Sequence, residues 1–532
     1  MGVSEAQTAN GTATTLEALM PVCLAGPFRK LDGFCWFVPI PTECSWASDT
    51  NEHPRRSFLG VWEDAEELGP PHEHHQAIAT LGRGRYSVWK TGVLFSTSDN
   101  SDPNSNGRSY FLNVRTPISR NENYRRSETV RHVPSPLPRI EGELRLALIG
   151  AGNRGVAVAR LLLKCASVKL VAVAESDPAA RERLAGKLPG NARFVSQQSI
   201  ADIAGDKTID GVIIASPDMY HERQAVLCLN ARKHVFLEKP LATTIWAAQN
   251  IARAWKHESN VLHMGFVLRH APFFRQIKQE LEAGSIGEIQ TVHITEHLGL
   301  KHGASYWRRW HASARISGGL VAHKACHDID VMLWLVGEKA SRVASFGGSQ
   351  YFARLSAPAT HCHSCALATE CMFFSPPDSP DTDGCVYGAR KDIVDNQSVI
   401  IEFANGIRAS YVLDMFGPGE SRRSIRIVGL RGAIEGSVEE GVFSIDFNDG
   451  RIGRRVVIVG TAGLGHFGGD LETCAAFLNA VAGLRTDSHL DIEAAVQGVE
   501  IACAAEASRE TGQVMDLEQL RASQAFHTPE SR

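Results

Sequence analysis

The clearest pattern of apolar and polar positions runs from Leu144 to Asp177. Apolar Leu144-Arg-Leu-Ala-Leu-Ile149 stops at Gly150-Ala-Gly152-Asn153-Arg154-Gly155. The amphipathic segment from Val156 follows, and Leu170-Val-Ala-Val-Ala174 closes on Glu175. This order predicts strand, turn, helix and strand. Buried-strand texture returns at Ile209-Asp-Gly-Val-Ile-Ile-Ala-Ser216-Pro217, in the run before Glu238-Lys239-Pro240, and from Val261 to Gly265. From Ile286 the pattern turns to alternation, which predicts a second, mainly antiparallel sheet. Its later strands are expected at Gln397–Phe403, Ile407–Met415, Ser424–Val428 and Arg454–Val459, with Asn405-Gly406 as a hairpin turn. The stretch 470–512 reads as two or more helices. Upstream, short β-type runs at 33–38, 57–62 and 110–114 alternate with turn clusters such as Leu68-Gly-Pro-Pro. The domain plan is then a loose 1–20, a small mostly β module over 21–115, and a linker over 116–143. A nucleotide-type domain over 144–268 and a second domain over 269–520 follow, with a polar insertion at 357–392 and a tail at 521–532.

The glycine turn carries specific chemistry. Gly150 permits a tight turn, Gly152 lets the backbone approach a pyrophosphate, and Gly155 lets helix and strand pack closely. The helix start, with Asn153 and Arg154, offers unpaired N–H groups to phosphates. Glu175 follows Gly150 by 25 residues, near the offset expected for a carboxylate on ribose hydroxyls. The fold class is therefore an α/β Rossmann dinucleotide-binding domain, then an α+β domain with a large, mainly antiparallel sheet, with the small β module ahead of both. NAD is expected over NADP, because Glu175 would repel a 2′-phosphate.

Composition narrows the rest. The 532 residues carry a formal charge of −4 with 43% hydrophobic content, which gives no footprint for nucleic acid or a membrane surface. The first residues lack a signal-peptide pattern and no apolar run approaches a membrane span, so a cytoplasmic protein is expected. Its twelve cysteines are then expected free or metal-bound. Four of them, Cys362, Cys365, Cys371 and Cys385, fall in the polar insertion with spacing C-x2-C-x5-C-x13-C. Such a loop suits a metal staple, zinc or [4Fe–4S], with His361 and His363 as substitute ligands; the alternative is a set of redox-labile thiols. Cys165, Cys228, Cys474 and Cys503 read as core. His72, His74 and His75 read as solvated loop histidines, with metal binding as the lesser alternative.

From Arg145 onward, over about 390 residues, the chain resembles the glucose–fructose oxidoreductase, inositol dehydrogenase and MocA family. The resemblance rests on the glycine turn, Ser216-Pro217, the Glu238-Lys239-Pro240 hallmark, the stretch Gly265 to Arg269-His270, and the closing helical region. It implies that Lys239 lies beside the nicotinamide and holds the substrate hydroxyl; a lysine leaving a buried strand is also poorly solvated, which suits proton transfer. It implies further that Ser216, Pro217 and Glu238 belong to the cofactor site, that Arg269 stands at the domain junction near substrate, and that the large sheet forms a homo-oligomer face. The N-terminal stretch, through His72-Glu-His-His75 and Phe95 to Arg108, is similar to a short module on bacterial surface-polysaccharide enzymes.

The segment Gly318 to Asp330 matches the family's catalytic helix, whose pattern is Asp, three residues, then His. His327 matches the proton-transfer histidine, but His323 occupies the aspartate position, which puts the usual dyad in doubt. Lys324 can supply charge; a His pair four apart also suits a metal, but no third ligand is evident nearby. Asp328 and Asp330 read as structural. Upstream, the stretch from His302 through Tyr306, Trp307 and Arg308 to His311 offers rings and fork donors for a sugar face or a phosphate; it equally suits a loop packed on the core. The expected function is NAD-dependent oxidation or reduction of a secondary alcohol of a sugar, nucleotide-sugar or inositol. The alternatives are an NAD-recycling glycosidase and a non-catalytic cofactor-binding regulator.

Overall fold

The computed structural model describes residues 22–42, 48–49, 57, 59–64, 66–69, 71–114, 124–130, 132–178, 181–182, 192–195, 200–256, 260–352, 357–375, 384–388, 391–448, 454–460, 465–484 and 488–523. The expected loose N-terminus at 1–20 and most of the tail lie outside them. The chain forms two compact units, 1–122 and 123–532.

In the first unit, two four-stranded sheets enclose a core that includes Trp36, Phe95, Tyr86 and Tyr110. Its strands include Cys35–Pro39, Leu59–Glu63 and Tyr110–Val114. The three histidines have structural partners: His72 Nδ1 meets buried Asp49 at 2.8 Å, His74 caps the helix His75–Leu81, and the His75 ring rests on Trp89.

The second unit opens on a strand that the linker expectation did not foresee. Tyr124–Val130 pairs in parallel with Arg454–Val459 at one edge of a ten-stranded sheet. Its sequence, Tyr-Arg-Arg-Ser-Glu-Thr-Val, lacks apolar alternation, as an edge strand paired on one side permits.

The nucleotide-type sheet is six-stranded and wholly parallel. In spatial order its strands are Arg193–Val195, Val168–Ala174, Leu144–Ile149, Gly211–Ile214, His234–Leu237 and Leu262–Met264. The order reverses between Leu144–Ile149 and Gly211–Ile214, where a crevice opens at the strand ends. The strands are nearly continuous apolar runs because both faces are buried. One face packs on the helices His221–Asn230 and Ile245–Ala254, and on Ile492, Ala495 and Val499 of the long helix Ser488–Thr511. The other packs on Asn153–Leu162 and on Cys474, Phe477 and Leu478 of Gly469–Val481. Two late helices thus finish a sheet laid down more than 200 residues earlier.

The ten-stranded sheet is antiparallel except at two pairings. The strands Asn396–Phe403 and Arg408–Gly417 meet at a turn where Gly406 has φ +84°. Gly432–Ser437 and Val442–Phe447 add a hairpin that the sequence reading did not separate. The inner face buries Val399, Ile401, Tyr411, Leu413, Ile425 and Ile427 against the helix Cys326–Val336 and its neighbours.

Candidate active site

The glycine turn is built as its residue types require. Gly150 has φ +85°, and a Cβ there would stand 2.5 Å from Ser216 N. A Cβ on Gly155 would stand 2.2 Å from the Gly150 carbonyl oxygen. Neither position admits a side chain. Gly152 differs: a Cβ there would meet no protein atom within 4 Å, at the start of the helix Asn153–Leu162. The open space stands at the N-terminal end of that helix, whose cap carries no side-chain hydrogen bond, so the cradle fits a dinucleotide pyrophosphate. Glu175 Oε2 accepts from Ala151 N–H at 2.8 Å and Oε1 from Asp177 N–H at 3.0 Å. The acid is thereby fixed to the turn at the end of the neighbouring strand.

Arg154 reaches away from that cradle. Its Nε donates to Glu238 Oε1 at 2.7 Å and its Nη1 to Asp470 Oδ1 at 2.6 Å. It ties the glycine turn to the strand end that carries Lys239 and to the helix Gly469–Val481. Glu238 is buried against Gly265, where a Cβ would stand 3.0 Å from its carboxylate. Ser216 donates to Gln224 at 2.6 Å. Pro217 stands beside it at the strand-order reversal, and Asn153 is exposed.

Lys239 is half-buried, and its Nζ donates to the His323 carbonyl at 2.9 Å. His323 lies in a π-helical turn, Val321–Ala325, that leads into the α-helix Cys326–Val336. Such widened turns concentrate at functional sites. The wider turn moves His323 off the face His327 would share with it in a regular α-helix. His323 Nδ1 hydrogen-bonds the Asp218 carboxyl. Burial pushes that carboxyl well above the usual carboxylate range, and burial with the nearby Lys239 charge pushes the imidazole well below its ordinary value. A neutral hydrogen-bonded pair is thus favoured over an ion pair. That carboxyl comes from the 3-10 turn Asp218–Tyr220 after Gly211–Ile214, and it meets the histidine that stands at the family pattern's aspartate position.

His327 is buried, and its Nδ1 has no hydrogen-bond partner among the described residues. Burial, then the charge of Lys239, holds its imidazole well below the ordinary value, so the ring is neutral near pH 7. A neutral, desolvated imidazole with an open nitrogen can take or give a proton at a substrate oxygen.

The aromatic stretch divides. Tyr306, Trp310 and His311 gather around His323, with Trp310 stacked on His311 at 3.9 Å and His311 at 4.4 Å from His323. Burial drops His311 to about 3. Trp307 instead faces the core, 3% exposed, donating to Met415 and stacked on Phe352. Its placement as a substrate residue is corrected: an indole amid apolar neighbours is worth more inside than in a cleft. Arg308 is half-buried, with its Nη1 3.8 Å from Cys362 Sγ.

Two other expected substrate contacts are interior ion pairs. Arg269, 8% exposed, is paired through Nε and Nη2 with Asp330. Lys324 meets Glu296 at 2.9 Å, inside a buried cluster in which Arg423 bonds both Glu296 and Asp328, and Tyr411 donates to Glu296 at 2.9 Å. Two cations there balance two carboxylates. That neutrality is what lets charges stay buried, and it commits Lys324 to Glu296. Asp328 and Asp330 each pair with a buried arginine, Arg423 and Arg269 respectively.

The four insertion cysteines line one cavity of about 220 Å³ together with Phe373, Phe374 and Tyr387. Among the described residues, no group of three or more His, Cys, Asp or Glu stands close enough to hold a metal ion. The expected zinc or [4Fe–4S] centre therefore gains no support from the placement of these thiols, which ring a cavity shared with apolar side chains. The same finding applies to a metal on His323 and His327, since His323 Nδ1 is committed to Asp218.

Sequence reasoning missed Asp218, although it follows Ser216-Pro217 at a buried strand end. It also missed His466, flanked by glycines in Gly465-His-Phe-Gly-Gly-Asp470. Among the described residues, no helix is long and apolar enough to cross a membrane.

Two family models match the chain: the NAD-binding Rossmann fold of the GFO_IDH_MocA oxidoreductase family over residues 144–266, and that family's C-terminal alpha/beta domain over 278–517. The chain belongs to this family. An inositol 2-dehydrogenase of Saccharopolyspora erythraea is 29% identical over 40% of this chain and 62% of its own length. One from Acidothermus cellulolyticus is 31% identical over 38% of this chain and 57% of its own. The chain spans about 60% of the length of these curated relatives. Among solved structures, levoglucosan dehydrogenase in complex with NADH and L-sorbose aligns with TM-score 0.57 at 23% identity, over 71% of this chain and 99% of that one. GenD2 from gentamicin A biosynthesis, in complex with NAD, aligns with TM-score 0.55 at 20% identity, over 72% and 99%. At such identities the alignments establish the shared fold.

Proposed function

We propose that this family member is an NAD-dependent oxidoreductase acting on a secondary alcohol of a sugar, nucleotide-sugar or inositol. The observation that carries the reading is the meeting of Lys239 with the turn that precedes His327. One residue comes from the nucleotide-type sheet and the other from the helix beneath the large sheet. Bound NAD would supply or accept the hydride. Gly150, Gly152, Asn153 and Gly155 would form its phosphate cradle, with Glu175 on the ribose and Ser216 and Pro217 at the crevice.

The chain's own groups divide the remaining work. Lys239 Nζ steadies the substrate oxygen as it gains negative charge. His327 takes the hydroxyl proton during oxidation and returns it during reduction. His323, fixed by Asp218, offers its backbone carbonyl as the rest for Lys239. Tyr306, Trp310 and His311 supply flat faces for a polyhydroxylated ring. Similarity to an inositol dehydrogenase and to a levoglucosan dehydrogenase supports a polyol or anhydrosugar substrate. The N-terminal module supports surface-polysaccharide building blocks as the context.

The open face of the large sheet supports a homo-oligomer. Phe346 and Ile400 stand 73% and 54% exposed on adjacent strands, with Ile400 paired opposite Ala344. A Phe346→Asp variant is expected to lower the mass measured by light scattering, and an unchanged mass refutes this face.

The functional test is NAD⁺ reduction with a panel of inositols, anhydrosugars and nucleotide-sugars, on wild type and Lys239→Ala. Loss of ~10²-fold or more in kcat/KM is expected for the variant. Full turnover by Lys239→Ala, or tighter binding of NADP than NAD, refutes the reading. Cleaved sugar without net NADH would indicate glycoside cleavage instead.

A further inference from the structure

The buried histidine raises a problem of proton traffic. His327 is 7% exposed, so an imidazolium formed there by taking a hydroxyl proton is stranded from water. The charged and titratable groups that bear on it include Lys239, Lys324, Arg423 and His466; Lys324 and Arg423 are paired with buried carboxylates and Lys239 Nζ is engaged as a donor to the His323 carbonyl, so none of these three is placed to accept a proton. His466 is the exception. Its ring centroid lies 6.2 Å from that of His327, and its side chain is 44% exposed. It therefore has the buried ring on one side and solvent on the other. A single water or a modest ring rotation bridges such a gap.

His466 is also held with unusual care. Its Nδ1 faces both oxygens of Asp470, at 3.0 and 2.9 Å. An ionised carboxylate only accepts, so it selects the Nδ1–H tautomer and leaves Nε2 with a free lone pair. Asp470 is held down to about 2, burial opposing but His466 and Arg154 prevailing. It therefore stays ionised and supports a transient imidazolium. The backbone is left-handed at three successive residues: φ is +46° at His466, +57° at Phe467 and +91° at Gly468. Two non-glycine residues in that region are costly, and such strain concentrates at functional sites. Arg154 links Asp470 to Glu238, beside Lys239, so the same arginine registers His466 against the glycine turn.

We propose that His466, oriented by Asp470, is a second proton-transfer residue that carries the substrate proton between His327 and solvent. The proposal rests on the dehydrogenase reading above. In oxidation the substrate O–H bond breaks and a His327 N–H bond forms, while the hydride with its electron pair passes to NAD⁺. The His327 N–H bond then breaks, an Nε2–H bond forms on His466, and that proton leaves to water or buffer. Reduction runs the same path backward. One proton and one hydride are lost from the alcohol, and the histidines return to their starting state.

The test uses the full-length protein with NAD⁺ and the polyol that wild type turns over fastest among myo-inositol, scyllo-inositol, levoglucosan and L-sorbose. His466→Asn is the first variant, because asparagine tolerates the left-handed backbone. Asp470→Asn is the second and covers failure of the first to fold, judged by thermal melting. For His466→Asn we expect kcat to fall ~10-fold or more with KM changed less than about twofold, and kcat to become dependent on buffer concentration. Added imidazole should restore much of the loss, which a structural role would not allow. In cofactor-free protein, ¹⁵N spectra of histidine-labelled material should show His466 as the Nδ1–H tautomer in wild type, and as a mixture in Asp470→Asn. Unchanged kcat without buffer dependence, or an Nε2–H tautomer in wild type, overturns the relay while leaving a working dehydrogenase. Wild type inert on these and on every nucleotide-sugar of the panel above overturns the dehydrogenase reading, and the relay with it.

Discussion

Exchanging glycine for alanine at two positions of the turn separates folding from cofactor binding. At Gly150 the substitution meets two penalties. The backbone is at φ +85°, which disfavours an L side chain by about 1–2 kcal/mol, and the new Cβ would stand 2.5 Å from Ser216 N. The contacted atom is backbone in a buried sheet, so relief requires moving strands at a further cost of about 1–3 kcal/mol. Gly150→Ala should therefore lose about 2–5 kcal/mol and melt several degrees lower. At Gly152 the arithmetic reverses. Its φ is −66° and no protein atom lies within 4 Å of the new methyl. A compatible Gly→Ala exchange narrows the unfolded ensemble and is worth about 0.4–1 kcal/mol in the protein's favour. The methyl would occupy the space assigned to the pyrophosphate, so NAD affinity should fall at least ~10-fold, about 1.4 kcal/mol. Differential scanning fluorimetry and calorimetric titration with NAD⁺ measure the two effects on the same preparations. If Gly152→Ala melts as low as Gly150→Ala, or binds NAD⁺ as tightly as wild type, the cradle has been placed wrongly.

Other expectations follow from the buried polar groups. Asp330→Leu alone should destabilise by about 3–5 kcal/mol by removing the carboxylate paired with buried Arg269. The double exchange Arg269→Met/Asp330→Leu should recover most of that with KM unchanged; a raised KM would return Arg269 to the substrate site. Asp218→Ala strips the partner from a buried imidazole nitrogen at a cost of about 1–3 kcal/mol, and should lower kcat by loosening the carbonyl on which Lys239 rests; wild-type kcat would refute its positioning role. Stability should also fall with acid. His221, His263, His270, His311, His323 and His327 all titrate below their unfolded value, chiefly through burial. Below pH ~6.5 the unfolded chain binds protons that the folded chain refuses, so each ring removes about 1.4 kcal/mol per pH unit, partly offset by Asp218, whose raised carboxyl acts in the opposite sense. Melting temperatures at pH 7.0, 6.0 and 5.0 should decrease in that order, and a flat profile would refute the burial of these rings.

Local chemistry made much of the fold legible without coordinates. The turn from Gly150 to Gly155 could be read because each glycine answers a short-range constraint, and those constraints reappear as the forbidden Cβ positions at Gly150 and Gly155. The parallel strands could be read because burial on both faces leaves continuous apolar runs, and the hairpin at Asn405-Gly406 because a positive φ demands a permissive residue. The edge strand Tyr124–Val130 could not, since pairing on one side imposes no apolar pattern.

Side-chain destinations are another matter, because they depend on elements far apart in sequence. Trp307 and Tyr306 are neighbours in the chain, yet one stacks on Phe352 in the core and the other faces His323. Arg269 and Lys324 look like ligand-binding cations until Asp330 and Glu296 are found to neutralise them. The cysteine spacing suggested convergence on a point, whereas the thiols ring a cavity. Conversely, the carboxyl that holds His323 comes from Asp218, 105 residues away. By itself the sequence determined the backbone plan and the cofactor turn, which are local and periodic. Only the tertiary structure decided which charges are cancelled inside and which polar atoms remain open to chemistry, because burial and pairing are properties of the assembled fold.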